Sequence, residues 1–100
     1  MTKFTQEVIQ IIQNIPSGKV MTYGQIAIRA GNPWGARQVV RILNSSSRAY
    51  QLPWYRVVNA KGGISLTGVG AWEQCQHLLD EGVFVVEDKI DLNIYRYNPE

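Results

Sequence analysis

The chain has 100 residues, of which 45% are hydrophobic and 18% are charged, and its net charge is +2. This length and composition are typical of one globular domain with a single hydrophobic core. No apolar run approaches the roughly 20 residues that cross a bilayer, and glutamine and glutamate occupy the N-terminal positions where a signal peptide is apolar.

The cysteine and histidine content restricts the chemistry further. The single Cys75 cannot form an internal disulfide, and one thiol with one histidine is too few for a metal site. We therefore expect no metal site, and the lack of an apolar span predicts no membrane contact. A reducing cytoplasm, in association with the nucleoid, is the expected location.

The charge is unevenly distributed along the chain. Residues 8–72 contain seven basic residues and no acidic residue, whereas residues 73–100 contain seven acidic and two basic residues, a net charge of −5. One interpretation is a solvated surface on which like charges cluster by chance. The other is a face that binds a polyanion, because phosphate contacts supply most of the nonspecific affinity for nucleic acids.

The N-terminal segment has apolar residues at helical spacing, which predicts an amphipathic helix over residues 4–14. A proline and a glycine in IPSGK end this helix, and KVM follows as a short extended piece. Thr22 and Gln25 have the spacing of a capping box, in which the first side chain caps a helix and the second reaches back. A second helix is therefore expected from this point to Gly31.

A third helix is expected after the turn GNPWG. Apolar residues across 36–43 share one face of it, which leaves Arg37 and Arg41 one turn apart on another face. Two short helices joined by a turn that contains glycine are typical of a helix-turn-helix.

The second half of the chain alternates strand and helix signals. RVV predicts a buried strand, NAKGG a turn, and ISL a strand that returns antiparallel to RVV as a hairpin, or wing. TGVG is expected to be a flexible loop. Trp72, Cys75, Leu78 and Leu79 predict an apolar helical stripe that Gly82 ends.

The C-terminal segments VFVV and IDLNIYRY predict a terminal hairpin, because apolar residues alternate in the second of them. The expected fold class is α+β. The expected architecture is one small domain over residues 1–100, with a winged helix-turn-helix that binds DNA.

Five segments carry a resemblance to a known family: IPSGKVMTYGQIA, GNPWGARQVV, LPWYRVV, NAKGGI and LLDEG. Their order and spacing resemble the DNA-binding domain of O6-alkylguanine-DNA alkyltransferases over about residues 4–86. In that family a Pro-Cys-His-Arg-Val motif carries the nucleophilic cysteine. Here Trp54 stands at the cysteine position, so the chain is similar to the alkyltransferase-like proteins, which bind alkylated guanine without repairing it.

The chemistry agrees with this resemblance. Alkyl transfer needs a thiolate and a group that accepts its proton, whereas an indole offers only an N–H donor. The histidine that activates the family's cysteine is replaced here by Tyr55, while Glu81 keeps the position of the glutamate that orients it. Cys75 is expected to be a small hydrophobe on the apolar stripe, and His77 a surface or packing residue. No catalytic residue and no cofactor are therefore expected.

The resemblance implies how DNA is bound. The helix-turn-helix enters the minor groove, the arginine that matches Arg37 fills the space left by a flipped nucleotide, and Tyr23 crowds the neighbouring phosphate. The small Ala36 lets the helix approach closely. Asn32 and Arg41 complete the expected DNA contacts.

The resemblance also implies a lesion pocket. Trp54 offers an apolar face to the alkylated base, and Tyr23, Tyr55 and Glu81 are expected around it. The other side of the pocket is expected to be closed by the backbone of three loop residues, which are Thr67, Gly68 and Val69. The implied partners are duplex DNA that contains O6-alkylguanine and proteins of nucleotide excision repair, with the chain acting as a monomer.

Three departures from the family and several alternatives remain at this point. Tyr55 replaces histidine, Ser46 or Asn44 stands near the family's hinge asparagine, and Val40 stands where glycine is usual. Arg37 has an alternative role as a plain phosphate contact, Tyr23 as a core residue, and Trp54 as an aromatic that fills the pocket. At the level of the whole protein, the alternatives are a winged-helix transcription regulator and an alkyltransferase with an unexpected nucleophile.

Overall fold

A computed structural model describes residues 1–99 and confirms the α+β class; Glu100 lies outside the described residues. The chain forms five α-helices, one short 3-10 helix and a two-stranded sheet within residues 1–99. In chain order these are α1 (Lys3–Gln13), β1 (Met21–Thr22), α2 (Tyr23–Arg29), α3 (Ala36–Ser46), the 3-10 helix (Trp54–Arg56), β2 (Val57–Val58), α4 (Gly68–Asp80) and α5 (Leu92–Tyr95).

The three N-terminal helices form as their local signals predict. The capping box of α2 is complete: the Thr22 hydroxyl accepts from the Gln25 amide at 3.1 Å, and the Gln25 side chain accepts from the Thr22 amide at 3.2 Å. Val8 and Ile12, one turn apart on α1, are fully buried against α2 and α3. A hydrophobic cluster between these helices therefore fixes the helix-turn-helix on α1.

The turn between α2 and α3 is packed tightly onto α1. A Cβ at Gly35 would lie 2.9 Å from Cζ of Phe4, so a larger residue would push the turn away from the helix. The Gly35 amide also donates to the Asn32 carbonyl at 2.9 Å. These contacts set the angle at which α3 is presented.

The expected hairpin between RVV and ISL is not formed. β2 pairs instead in parallel with β1, with Met21 opposite Val57 and Thr22 opposite Val58. The NAKGG turn does form, because the Asn59 carboxamide oxygen accepts from the Lys61 and Gly63 amides at 3.0 and 2.8 Å.

The segment after this turn pairs with the C-terminal part of the chain. The Ile64 amide donates to the Asp88 carbonyl at 3.0 Å, and the Ile90 amide donates to the Gly62 carbonyl at 2.9 Å. The predicted wing therefore had the wrong pairing segment, because the residues after the turn pair with the C-terminal part of the chain and not with RVV. A turn signal does not show which distant segment the chain will meet next.

Helix α4 differs from its prediction in its start and in its buried face. It begins at Gly68, so most of the expected TGVG loop is its first turn. Its buried residues are Gln74 and Leu78, whereas Trp72 is 64% exposed and Leu79 49% exposed. Of the predicted stripe, Leu78 is fully buried and Cys75 partly buried, while a glutamine with hydrogen-bond partners inside the domain occupies the other core-facing position.

The expected terminal hairpin is reduced to one antiparallel bridge between Val86 and Lys89, and IDLNIYRY does not pair with VFVV. The segment after Asp91 turns into α5, which that aspartate caps by accepting from the Asn93 amide at 2.9 Å. The chain then runs beside β1, where the Tyr97 amide donates to the Val20 carbonyl at 2.8 Å. Val20 joins a second hydrophobic cluster under this segment, together with Val58, Leu78, Val83 and Ile90.

None of the helices within residues 1–99 combines the length and the hydrophobicity that a membrane span requires.

Candidate nucleic-acid interface

Helix α3 presents a basic surface. Arg37 and Arg41 are exposed and lie one turn apart, and Ala36 occupies the first position of the helix. Within residues 1–99 the one ion pair is that of Arg56 with Glu81, so neither exposed arginine is neutralised by a neighbouring carboxylate. Two free guanidinium groups on one helix face are suited to phosphate contacts.

Asn32 lies at the turn before α3, and its side chain is partly used within the protein. Its carboxamide oxygen accepts from the Trp34 amide at 3.1 Å, and its nitrogen lies 3.5 Å from the Gln38 carboxamide oxygen. This local bond shapes the turn. Its expected contact with DNA stays a prediction.

Trp34 is a surface residue that the sequence interpretation missed. It is 92% exposed, in the same turn, two residues before Ala36. The available signal was an indole inside a short turn of glycine, asparagine and proline, where a core aromatic is not expected. A large exposed aromatic three residues before Arg37 is suited to contact with a nucleic acid.

Behind α3 lies a pocket of about 300 Å³. It brings together Tyr23, the first residue of α2, and Trp54, the first residue of the 3-10 helix. Partial burial raises the pKa of Tyr23, with the Ser65 hydroxyl acting in the opposite direction, so the phenol is a neutral donor at pH 7. The remaining lining residues are Leu43, Asn44, Ser47, Val57, Leu66 and Gln74.

Several residues expected around the pocket do not line it. Thr67, Gly68 and Val69 are exposed at the start of α4, and of the LTGVG segment only Leu66 reaches the pocket. They lie elsewhere because the segment is helical rather than a loop that folds over the opening.

Tyr55 does not line this pocket either. It lines a wider cleft of about 740 Å³, which it shares with Trp54 and Arg48. Its ring stacks on His77, with centroids 4.4 Å apart and planes at 17°, and Trp54 meets both rings nearly edge to face. His77 is thus a packing residue, as expected, and the aromatic cluster holds Trp54 between the two clefts.

Glu81 belongs to a structural network rather than to the pocket. Its carboxylate accepts from Nε of Arg56 at 2.9 Å and from the Gly18 amide at 3.0 Å, and Arg56 also donates to the Ile15 carbonyl at 2.8 Å. Partial burial acts to raise the pKa of Glu81, but these donors outweigh it, and the pKa lies below its ordinary value. The glutamate position of the family therefore ties α4 to the segment before β1.

The single thiol lies outside both clefts. Cys75 borders a separate surface groove with Leu79, Val85 and Asp88. Burial, and then the Asp88 carboxylate, raise the pKa of Cys75 above its ordinary value. A raised pKa lowers the thiolate fraction, so this thiol is a weak nucleophile.

The family profile described as "6-O-methylguanine DNA methyltransferase, DNA binding domain" matches residues 3–83. The chain is also 38% identical over 106 residues to "Alkyltransferase-like protein 1" of Schizosaccharomyces pombe, covering 99% of this chain and 98% of the relative. The chain belongs to the alkyltransferase-like family.

Other relatives of this alkyltransferase-like protein agree with that assignment. The "DNA base-flipping protein" of Escherichia coli K12 is 50% identical over 96 residues, which is 95% of this chain and 74% of that protein. Among solved structures, S. pombe Atl1 in complex with damaged DNA containing O6-carboxymethylguanine superposes with a TM-score of 0.88 at 35% identity. That match covers 99% of this chain and 98% of the Atl1 chain.

Proposed function

We propose that this alkyltransferase-like protein binds O6-alkylguanine in duplex DNA and holds the flipped nucleotide without transferring its alkyl group. The α2–α3 unit docks in the minor groove, Arg37 enters the stack, and the base enters the pocket between Tyr23 and Trp54. The observation that carries the proposal is this pocket, which opens behind a helix with two unpaired arginines. Its lining within residues 1–99 includes no cysteine.

Selectivity begins before the pocket is reached. An alkyl group on O6 weakens pairing with cytosine, and flipping costs least for a base whose pairing is already impaired. Stacking on Trp54 then contributes about 1–3 kcal/mol to the arrived base. A base that flips easily and stacks well is therefore held longest.

The absence of alkyl transfer is supported by the chemistry of the residues present. An indole carries no nucleophilic heteroatom, and Cys75 lies in another groove with a raised pKa. Incubation with an O6-methylguanine duplex followed by intact-protein mass spectrometry tests this. A stable methyl adduct would establish the alternative of an unexpected nucleophile.

The central experiment is a binding titration of matched duplexes with and without one O6-methylguanine. We expect clear preference for the lesion in any sequence context. An affinity that depends on the DNA sequence and is the same with and without the lesion would instead support the alternative of a transcription regulator.

A downstream role belongs to the same proposal. We propose that the monomeric protein, bound on nucleoid DNA in the cytoplasm, marks the lesion for nucleotide excision repair proteins. Reconstituted incision of a lesion duplex with and without this protein tests that step. Equal incision in both reactions would remove it from the proposal while leaving lesion binding intact.

A further inference from the structure

Gln74 is a buried polar residue whose orientation is fixed by its partners. Its side chain is 3% exposed, and its Nε2 donates to the carbonyls of Tyr55 and Val57, each at 3.2 Å. Carbonyl oxygens only accept hydrogen bonds, so the nitrogen of the carboxamide must face them. The carboxamide oxygen, Oε1, must therefore point the other way.

That oxygen has no hydrogen-bond donor among residues 1–99. Every solvent-inaccessible side-chain nitrogen or oxygen in this part of the chain has a hydrogen-bond partner. Because Oε1 has none, it must be accessible from outside the core. Gln74 lines the pocket together with Tyr23 and Trp54, so this accessible oxygen is inferred to open to the pocket. An acceptor that opens to a pocket can exchange water for a donor of the bound base.

We propose that Gln74 Oε1 accepts a hydrogen bond from the 2-amino group of the flipped O6-alkylguanine, which makes Gln74 a specificity-determining residue. The proposal rests on the proposed function. Alkylation at O6 removes the N1 proton, so the 2-amino group is the remaining N–H donor on that edge of the base. A purine with hydrogen at C2 offers nothing to this oxygen, just as the 2-amino group distinguishes G·C pairs in the minor groove.

The two hydrogen bonds to backbone carbonyls fix the orientation of the Gln74 side chain in the free protein. They hold the side chain in one orientation before the base arrives, so little conformational freedom is lost on binding. They also connect α4 to the segment that carries Trp54. The acceptor and the stacking face are therefore held by one set of contacts.

The test uses a change in the base rather than in the protein. We would compare wild-type affinity for duplexes that contain O6-methylguanine or O6-methylhypoxanthine, which lacks only the 2-amino group, at the same position. Loss of one hydrogen bond and an acceptor left unpaired predict about fivefold to tenfold weaker binding of the hypoxanthine base. Equal affinity for the two lesions would overturn the proposal.

A variant links the preference to this side chain. Gln74→Met has similar length but no acceptor, so the ratio between the two lesions should fall to about one. Gln76→Met, on the exposed side of the same helix, should keep the wild-type ratio. A role of Gln74 in packing alone would weaken both complexes equally and preserve the ratio, and that result would also refute the proposal.

These outcomes separate the inference from the proposed function. If O6-methylguanine is not preferred over guanine, the proposed function fails. If it is preferred but the hypoxanthine base binds equally well, only the role of Gln74 fails. Should the methionine variant not fold, Gln74→Leu, which also lacks an acceptor, replaces it in the same comparison, and equal affinity of the wild-type protein for the two lesions would still overturn the proposal.

Discussion

Replacement of Trp54 by alanine separates stacking on a flipped base from ordinary DNA binding. Trp54 lines the pocket, and neither Tyr55 nor His77 stacks parallel on its ring. Trp54→Ala should therefore remove the base contact without touching the exposed arginines of α3. Lesion preference should fall while affinity for undamaged duplex stays nearly unchanged.

The magnitude follows from the contact that is lost. Stacking of a base on an aromatic side chain contributes about 1–3 kcal/mol, which corresponds to a fall of about 5- to 150-fold in the ratio of lesion to control affinity. Trp54 also packs on the N-terminal core, so part of the change will appear as lower stability of the free protein. A thermal unfolding scan measures that part separately.

The chain supplies its own controls for this experiment. Trp72 is exposed on α4 and lines neither cleft, so Trp72→Ala should change neither affinity nor preference. Trp34→Ala, on the turn before α3, should weaken all duplexes about equally. The assay is fluorescence anisotropy on matched duplexes. If Trp54→Ala kept the wild-type ratio, Trp54 would be a structural aromatic that fills the pocket, and the reasoning would be refuted.

Four further predictions concern charge and chemistry. Arg37→Ala should weaken damaged and undamaged complexes alike and remove the signal of a base-analogue fluorophore beside the lesion; a normal flipping signal would show that Arg37 is a plain phosphate contact. Arg41→Ala should lower the slope of log affinity against log salt by about one, and an unchanged slope would place this arginine outside the interface. Trp54→Cys should not become an efficient alkyltransferase, because Tyr55 cannot accept the proton as a histidine does, and rapid methylation of the new thiol would contradict this. Glu81→Gln should destabilise the fold by about 2 kcal/mol at pH 7, the scale of hydrogen bonds to charged groups. Because the pKa of Glu81 is lowered in the folded state, the wild-type advantage should be complete above about pH 5 and disappear as the pH falls through the folded pKa, below the ordinary value of about 4.3. Urea unfolding of both proteins between pH 3 and pH 7 measures this difference in the free energy of unfolding. A difference that does not change with pH would contradict the lowered pKa of Glu81.

The site contains both residues that the sequence could identify and residues that it could not. Trp54 and Tyr23 were identifiable because each lies in a short contiguous segment that resembles the family. Gln74 was not, since a glutamine among apolar residues on a helix looks like a solvent-facing position. Its role follows from two backbone carbonyls nearly twenty residues earlier in the chain.

The N-terminal helices, their caps and the division of charge were determined by the sequence itself, because each depends on residues within one or two turns of one another. The tertiary structure alone decided the pairing of Met21 with Val57, the course of the C-terminal segment and the bond between Arg56 and Glu81. Each of these joins segments that are distant in the chain, and either partner would satisfy its local pattern equally well elsewhere. Burial determines which pairing forms, because a backbone polar group or a charge that is removed from water is costly unless it is hydrogen-bonded or paired inside the fold.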